Sequence, residues 1–446
     1  MKTTTYAVIT WILVASAAQA QDAPVLSLEQ AIGIALAHNK SLANAALQVD
    51  KAANDLASAK THRLPQFQVE AQASQLLQPV NLTFPRGAFG TFDGIGPVPA
   101  TDAAVTTPSK LSFLTSVEAT QSLTPLFKVN LNVRLQERAK AKEIEELRDS
   151  QLALISNLKR LYYDIVQTQS ALAANDRSLM LLRELNRVVG SRVTQKVALR
   201  SDALNVESKL ASAEVSRVEL QHTMASGKER LNQLMGRDVR TRFDVEPLPG
   251  AALAAVATLD AAQARAIDTR PDVRQARIAV EQAELARRVA KTDFIPEMYL
   301  AASYIIPTNI TGAPRQIATG AVQFKWEPFD WGRKGRALAT KDVELRQARN
   351  ALQETEDRAL VDVSTKYRAV ESARAKLRAA RVASEAAHES ARVTIIQYGA
   401  QAALLADVLQ SQSTAAETDH QLQQALAAFW AAQADLERAT AEDVQP

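Results

Sequence analysis

The sequence of 446 residues contains no cysteine, and only 5% of its residues are aromatic. The absence of cysteine excludes a disulfide framework, a thiolate metal site, a cysteine nucleophile and a lipid-modified N-terminal cysteine. The 52 basic residues nearly balance the 49 acidic ones, so the charge gives no reason to expect binding to nucleic acid. After the N-terminal region, no segment is continuously apolar for about 18 residues, so no transmembrane helix is predicted there.

Proline is missing from two long stretches of the chain. Fifteen of the 16 prolines lie at or before Pro328, and the last is Pro446. Residues 126–246 and 329–445 contain none. Because proline breaks the interior of a helix, both stretches predict helices much longer than those of an ordinary globular enzyme.

The N-terminus has the pattern of a secretory signal peptide. Lys2 precedes a largely apolar run from Tyr6 to Ala18, and the Ala-Gln-Ala sequence at 18–20 fits a cleavage site of small residues. The run is too short for a membrane-spanning helix, which needs roughly 20 residues. We therefore expect residues 1–20 to be a signal peptide that exports the chain.

The remaining chain repeats itself at an offset of 231 residues. The sequence Ala-Lys-Thr followed after three residues by proline occurs at 59–65 and again at 290–296. This repeat predicts two halves of one plan, residues 21–250 and 251–446. Each half is predicted to contain a helix, a strand, a loop, a strand, a long helix, a turn and a helix. The predicted helices cover residues 27–63, 129–194, 201–235, 259–294, 333–397 and 402–440.

Four segments alternate between apolar and polar residues, as half-polar strands do. In the first, Phe67 and Val69 share one face, and Gln68 and Glu70 share the other. Each strand has about ten residues, the length of a tilted strand that crosses a bilayer. Four strands cannot close a barrel, which needs about eight. They form either a small soluble sheet or part of a barrel pooled from several chains, in which three chains supply twelve strands.

The first long helix carries leucines and other apolar residues at steps of three, four and seven, a coiled-coil seam. We therefore predict a mainly α-helical protein of long coiled-coil hairpins with a small β part. The first long helix, with about 66 residues, would span roughly 100 Å. The loop at 79–109 holds five prolines and four glycines and is predicted to be irregular and exposed.

Two tryptophans flank the junction between the last strand and its long helix. Trp326 and Trp331 are predicted to be interfacial anchors of an aromatic belt, and ordinary junction packing is the alternative. The five histidines are scattered without metal-ligand spacing. No nucleophile elbow or dinucleotide motif is present. Neither a metal, a cofactor nor an enzymatic activity is predicted.

Several motifs together resemble the TolC-like outer-membrane efflux protein family over nearly the whole mature chain. They are LSLEQAIGIALAHN (26–39), the Ala-Lys-x-x-x-Leu-Pro sequence (59–65), RPDVRQARIAVEQAELARRVAKTDFIP (270–296), WEPFDWGRKGR (326–336) and YGAQAALLADVLQSQ (398–412). The resemblance implies a homotrimer with a 12-stranded barrel in the outer membrane and a helical tunnel through the periplasm. It also implies docking onto a periplasmic adaptor protein and an inner-membrane transporter that supplies the driving force.

The resemblance also implies a narrow periplasmic entrance at the helical turns. In the family, an aspartate pair near the start of the last helix narrows the opening; Asp407 matches the first, and Gln410 stands in place of the second. Tyr398 matches a tyrosine that joins a closing network with an aspartate at the other turn, here Asp202 beside Ser201. Three copies of Asp407 around an axis would repel one another and attract cations; the alternative is an exposed carboxylate at a helix start.

The chain departs from the family pattern at this entrance. Ala403 stands where the family often has an arginine that completes the network. Lys196 and Gln401 replace the turn glycines six residues before each aspartate. We expect the closing network and the adaptor contact to differ from those of the family at these positions.

Two other functions remain open from the sequence. One is the outer-membrane duct of a type I protein secretion system, which has the same fold. The other is a soluble periplasmic coiled-coil adaptor, which would have one helical hairpin within compact β-domains. The two repeated halves and only four strands of membrane length disfavour the adaptor.

Overall fold

The computed structural model describes residues 24–107, 110–197, 199–247, 258–310, 314–400 and 402–442. The predicted signal peptide and the predicted boundary between residues 250 and 251 lie outside these ranges. The helices are α1 (Leu28–His38), α2 (Lys40–Thr61), α3 (Pro125–Thr194), α4 (Arg200–Leu234), α5 (Leu259–Thr269), α6 (Pro271–Thr292), α7 (Arg333–Gly399) and α8 (Leu405–Ala439).

The long helices agree with the sequence prediction to within a few residues. Helices α3 and α7 have 70 and 67 residues, and their partners α4 and α8 have 35 each. Helix α1 begins with a capping box: the Ser27 hydroxyl accepts the Gln30 N–H, and the Gln30 side chain accepts the Ser27 N–H, both at 3.2 Å. Such a box satisfies two N–H groups that the helix cannot pair internally.

The prediction of one unbroken helix at 27–63, and of another at 259–294, was wrong. Each is two helices, and the breaks at Asn39 and Arg270 lie 231 residues apart, as do the bounds of the flanking helices. At the first break, the Asn39 side chain accepts the Leu42 N–H at 2.9 Å and donates to the Leu234 carbonyl at 2.8 Å. At the second, Pro271 disfavours a helical Arg270, whose ψ is 130°.

Arg270 is fixed at its break by two carboxylates. Its guanidinium donates to Asp272 at 3.0 and 2.9 Å and to Asp362 of α7 at 2.8 Å. Burial lowers the pKa of Arg270, but the hydrogen bonds and charges of both aspartates outweigh burial and raise it. The side chain is 16% exposed, so this pairing anchors the extended residue between α5 and α6.

Within the described ranges, the strands form one four-stranded sheet and three small pairs. They are β1 (Val25–Leu26), β2 (Gln66–Gln75), β3 (Val80–Phe84), β4 (Thr91–Phe92), β5 (Gly96–Pro97), β6 (Ala103–Thr107), β7 (Leu111–Ser122), β8 (Asp244–Val245), β9 (Glu297–Thr308) and β10 (Ile317–Lys325). The four predicted strands are β2, β7, β9 and β10, and they pair antiparallel in the order β10-β9-β7-β2.

The register of this sheet places most of the large apolar residues of its four strands on one face, whereas Leu114, Ile305 and Ile317 lie on the other. Val69 lies opposite Val117, which lies opposite Tyr304, and Leu300 lies opposite Val322. Large side chains of this face are exposed in the single chain: Phe67 is 75% exposed, Val69 70%, Val322 63% and Phe324 61%. The alternation predicted from the sequence is therefore the pattern of the folded sheet.

The loop at 79–109 is more ordered than the sequence predicted. Within its described part, β3 pairs with β6 and β4 pairs with β5, and the rings of Phe84 and Phe89 lie 5.1 Å apart. The prolines and glycines lie mostly between these short strands, which explains why composition alone indicated irregular structure. The prediction that the loop is exposed is correct for most of its described residues.

The chain divides into two compact units. Unit 1 contains residues up to 46, 147–273 and from 356 onward; unit 2 contains 47–146 and 274–355. Each unit thus combines segments from both sequence repeats. Unit 2 holds the four-stranded sheet and the ends of the helices that adjoin it. There, the Thr124 hydroxyl accepts the Met298 N–H and donates to the Pro296 carbonyl, both at 2.8 Å, which ties the start of β9 to the segment before α3.

The core of unit 1 follows the predicted seam of α3. The seam residues Leu158, Ile165, Leu179 and Val189 are each at most 2% exposed. Asn175 is a polar residue of this seam, and its side chain donates to the Ala213 carbonyl of α4 at 2.9 Å. This hydrogen bond satisfies a polar seam residue and sets the alignment of the two helices.

None of the helices in the described ranges combines the length and the apolar run that crossing a bilayer requires.

The end of α4 supplies a direct stability prediction. Gly236 has φ +70°, and a Cβ there would lie 2.1 Å from the His38 carbonyl oxygen. Gly236→Ala should therefore lower the free energy of unfolding by more than about 1 kcal/mol, because backbone strain adds to a steric clash. The melting temperature of the detergent-solubilised protein, followed by circular dichroism at 222 nm, measures this effect.

Gly33→Ala is the matched control. Gly33 lies within α1 with nothing within 4 Å of the added Cβ, so the same change should leave the melting temperature unchanged or raise it. Equal melting temperatures for Gly236→Ala and the unmodified chain would contradict the predicted clash.

Candidate functional site

The candidate entrance residues lie at two helical turns of unit 1. Turn A joins α3 to α4 (residues 195–199), and turn B joins α7 to α8 (residues 400–404); residues 198 and 401 lie outside the described part of the chain. Gln401, which replaces a turn glycine of the family pattern, is thus outside the described residues. Each turn contains a backbone hydrogen bond of the same kind. In turn A the Val197 N–H donates to the Arg192 carbonyl at 2.9 Å, and in turn B the Ala402 N–H donates to the Gln397 carbonyl at 2.8 Å.

Lys196 takes the conformation of the glycine that it replaces. Its φ is +59°, in the left-handed region that favours glycine, and its N–H donates to the Val193 carbonyl at 2.9 Å. The helix end thus has the geometry of a glycine-terminated helix without a glycine. Lys196 adds a positive charge to turn A.

Both candidate aspartates begin a helix. The Asp202 carboxylate accepts the Leu199 N–H at 3.3 Å, and the Asp407 carboxylate accepts the Leu404 N–H at 2.9 Å. A carboxylate in the first turn of a helix pairs a free N–H group and offsets the helix dipole. This geometry accounts for an acidic residue at both positions without any interaction between chains. Asp407 remains exposed, so its charge is also open to ions.

Tyr398 is held by an arginine that the sequence did not identify. The Arg192 guanidinium donates to the Tyr398 hydroxyl at 2.5 Å, and its central carbon lies 5.1 Å from the centre of the ring. Among the described residues, Tyr398 makes no hydrogen bond to Asp202. The structure therefore links the ends of α3 and α7 through Arg192 and Tyr398.

Arg192 occupies a position that motif comparison does not reveal. The resemblance to the family places that arginine at position 403, within turn B, where this chain has alanine, whereas Arg192 lies in α3 before turn A. The only signal in the sequence is that Arg192 lies ten residues before Asp202, close to the nine-residue spacing of Tyr398 and Asp407. Ser201 and Gln410 are exposed, and neither joins this link through a side-chain hydrogen bond in the described part of the chain.

The two tryptophans of the candidate belt are exposed at the end of the sheet. Trp326 directly follows β10 and is 54% exposed, and Trp331 is 87% exposed. The rings of Phe329 and Trp331 meet edge to face at 4.8 Å. Both rings are exposed in the single chain, and their role as interfacial anchors stays a prediction.

Nearby carboxylates offset the positive charge at the start of α7. Asp330 accepts the Gly332 N–H at 3.1 Å and the Lys334 N–H at 2.7 Å, and Arg333 donates to Glu327 at 2.5 Å. The hydrogen bond from the Lys334 backbone is the main cause of the lowered pKa of Asp330. The carboxylate therefore stays ionised and offsets the helix dipole where basic residues are unfavourable.

Within the described ranges, no three histidine, aspartate or glutamate side chains come together as metal ligands.

Comparison with known proteins shows the family. A model of the family described as "Outer membrane efflux protein" matches residues 31–237 and 254–442. No curated protein sequence matches the chain. Among solved structures, the outer-membrane channel OprN is 16% identical, with a TM-score of 0.76 over 93% of this chain and 89% of that chain.

Two further channel structures have the same fold. CusC is 16% identical, with a TM-score of 0.76 over 93% of this chain and 91% of that chain. The CmeC outer-membrane channel of Campylobacter jejuni is 14% identical, with a TM-score of 0.76 over 93% of this chain and 85% of that chain. At such identities these likenesses show the fold, whereas the family model covers most of the sequence. The chain belongs to the outer membrane efflux protein family, a family of channels and not of enzymes, as its sequence motifs predicted.

Proposed function

We propose that this outer-membrane efflux channel works as a homotrimer and as the passive exit duct of a three-part system. A periplasmic adaptor protein connects it to an inner-membrane transporter, which supplies the driving force for small molecules to leave. Residues 1–20 direct its export, the sheet lies in outer-membrane lipid, and the helices extend into the periplasm. The observation that carries the proposal is the open four-stranded sheet with one apolar face.

The sheet has two free edges in a single chain. Strand β2 lies at one edge and β10 at the other, and neither has a second partner among the described strands. In hydrocarbon, each unpaired backbone N–H or C=O group costs several kcal/mol. Pairing β2 of one copy with β10 of the next removes both edges. Three copies supply twelve strands, more than the eight or so that a closed barrel needs.

The apolar face of the sheet supports a lipid environment. Its exposed residues Phe67, Val69, Val322 and Phe324 are not buried by any surface in the described part of unit 2. Trp326, at the end of this band, has the amphipathic ring that favours the boundary between lipid and water. The band and its tryptophans thus match a sheet whose outer face lies against lipid.

Turns A and B form the periplasmic entrance in this proposal. The hydrogen bond from Arg192 to Tyr398 holds the ends of α3 and α7 together within one chain, which favours a narrow entrance. Asp407 is the candidate for cation binding at the opening, with Gln410 on the same helix. Asp202 and Ser201 begin the neighbouring helix α4.

Substitution on opposite faces of β2 tests the lipid-facing sheet. Val69→Arg places a charge on the apolar face, where it should cost roughly 2–4 kcal/mol at the bilayer midplane and reduce the trimer recovered from outer membranes. The adjacent Gln68→Arg puts the same side chain on the polar face and should leave the yield of trimer nearly unchanged. Equal yields for the two variants would contradict a sheet with one face in lipid.

Removal of the link between α3 and α7 tests the entrance. Tyr398→Phe deletes the hydroxyl, and Arg192→Ala deletes both the hydrogen bond and the contact with the ring. Both variants should increase single-channel conductance in planar bilayers, with the larger increase for Arg192→Ala. Arg187→Ala should leave conductance unchanged, because among the described residues this arginine pairs only with Glu184 on the same helix. An unchanged conductance in both link variants would show that this pair does not restrict the opening.

Neutralisation of Asp407 tests cation binding at the opening. Asp407→Asn keeps an oxygen that can accept the Leu404 N–H but removes the charge. Block of single-channel current by divalent cations should become weaker. Glu389→Gln, at an exposed carboxylate paired with Arg392, should leave the block unchanged. Identical block in Asp407→Asn and the unmodified chain would assign Asp407 to helix capping alone.

A further inference from the structure

The four junctions between the long strands and their helices lie side by side in unit 2. The sheet order and its registers place the helix-side ends of β10, β9, β7 and β2 next to one another. The Lys128 ammonium of α3 lies 2.7 Å from the Asp293 carboxylate that follows α6, and the Gln121 amide of β7 donates to the Arg63 carbonyl at 3.4 Å. The junctions comprise residues 60–66, 121–128, 291–297 and 325–336, which we call the junction collar.

Every junction of the collar exposes large apolar side chains. Eight of them are at least 42% exposed: Leu64, Leu123, Phe127, Phe294, Ile295, Trp326, Phe329 and Trp331. Trp331 has φ +57°, a left-handed conformation that is unfavourable for a residue with a side chain, and its ring is the most exposed of the eight. A strained backbone that presents an aromatic ring to solvent indicates a function outside the single chain. Exposed apolar side chains gathered in this way mark a surface that another molecule covers.

The junction collar also concentrates positive charge. It contains eight basic and four acidic residues, a surplus of four positive charges, whereas the whole sequence has a net charge of +3. The basic residues are Lys60, Arg63, Lys128, Lys291, Lys325, Arg333, Lys334 and Arg336, and the acidic ones are Asp293, Glu297, Glu327 and Asp330. The positive charge of the chain therefore lies beside its exposed apolar girdle.

Five of the basic residues are exposed and form no ion pair in the described part of the chain: Lys60, Arg63, Lys291, Lys325 and Arg336. Lys60 and Lys291 lie in the last turns of α2 and α6, where a cation offsets the helix dipole. Arg63 lies beyond the last turn of α2, and Arg336 lies in the first turn of α7, where the dipole disfavours a cation. The fold of one chain therefore gives these two arginines no partner.

Closure of the sheet by neighbouring copies would bring the two arginines to the same boundary. Arg63 precedes β2, and Arg336 follows β10. Where β2 of one copy pairs with β10 of the next, the junction that holds Arg63 lies beside the junction that holds Arg336 of the neighbouring chain. Two unpaired cations at one boundary repel each other, and an anion between them removes this repulsion.

We propose that the junction collar binds the headgroups of anionic phospholipids at the boundaries between copies. The guanidinium groups of Arg63 and Arg336 hold the phosphate, and the exposed rings lie at the upper end of the acyl chains. A zwitterionic headgroup carries the same phosphate but adds a cation, which the positive surplus disfavours. The inference rests on the proposed placement of the sheet in lipid and adds to it a preference for lipid charge and the residues that set this preference.

Native mass spectrometry of the detergent-purified trimer tests the preference with phosphatidylglycerol and phosphatidylcholine of identical acyl chains. Phosphatidylglycerol should bind at least about tenfold more tightly. Arg63→Gln and Arg336→Gln should each weaken its binding about fivefold, because each basic residue near an anionic headgroup contributes an attraction of that size, and should leave phosphatidylcholine binding unchanged. Trp331→Ser should weaken the binding of both lipids alike, since the ring does not distinguish headgroup charge.

Two basic residues outside the collar serve as matched controls. Lys209 of α4 and Arg381 of α7 are exposed and form no ion pair among the described residues, so Lys209→Gln and Arg381→Gln should leave the binding of both lipids unchanged. As a second measurement on the unmodified trimer, phosphatidylglycerol should raise the temperature at which it dissociates into monomers. This effect should shrink in 1 M salt, which screens exposed charges.

The outcomes separate this inference from the proposed channel function. Equal binding of the two lipids by an intact trimer, or unchanged phosphatidylglycerol binding in both arginine variants, would overturn the inference and leave the channel proposal standing. A protein that forms no trimer and inserts into vesicles of neither lipid would overturn both.

Discussion

The backbone groups at the two edges of the four-stranded sheet need hydrogen-bond partners, and the rest of the structure depends on how they find them. A sheet with an exposed apolar face and two unpaired edges is unstable both in water, where the face is exposed, and in lipid, where the edges are. The order β10-β9-β7-β2 places one strand from each sequence repeat at an edge. Further copies of the chain can therefore continue the sheet, and we propose that three of them close it. The modest hydropathy of the sequence is consistent with this arrangement, because each strand directs only alternate residues to lipid.

Much of this fold was predictable because its determinants are periodic. The proline-free stretches predicted α3 and α7, and the alternation of apolar and polar residues predicted the four strands. The 231-residue offset predicted that the two halves are equivalent. The breaks at Asn39 and Arg270 were missed. Asn39 ends a helix through a tertiary hydrogen bond to the Leu234 carbonyl, which local sequence does not reveal. Arg270 precedes a proline, a signal that was present in the sequence but was outweighed by the helical pattern around it.

The candidate site was only partly predictable, for a related reason. Asp202 and Asp407 were found because both stand at a fixed place after a helical turn, and the structure gives each a capping role that repeat symmetry explains. Arg192 was missed because it reaches Tyr398 from another helix, 206 residues away in sequence. Such a pair depends on the relative rotation of α3 and α7, which no pattern within one helix specifies. In this chain Tyr398 is linked to Arg192 of α3.

The central claim, that three copies close one sheet, is tested most directly by the mass of the complex extracted from outer membranes. Native mass spectrometry in detergent should give three copies of the mature chain, and the complex should require detergent to stay in solution. A monomer that stays in solution without detergent would contradict the account, because its sheet edges and apolar face would then need no partner.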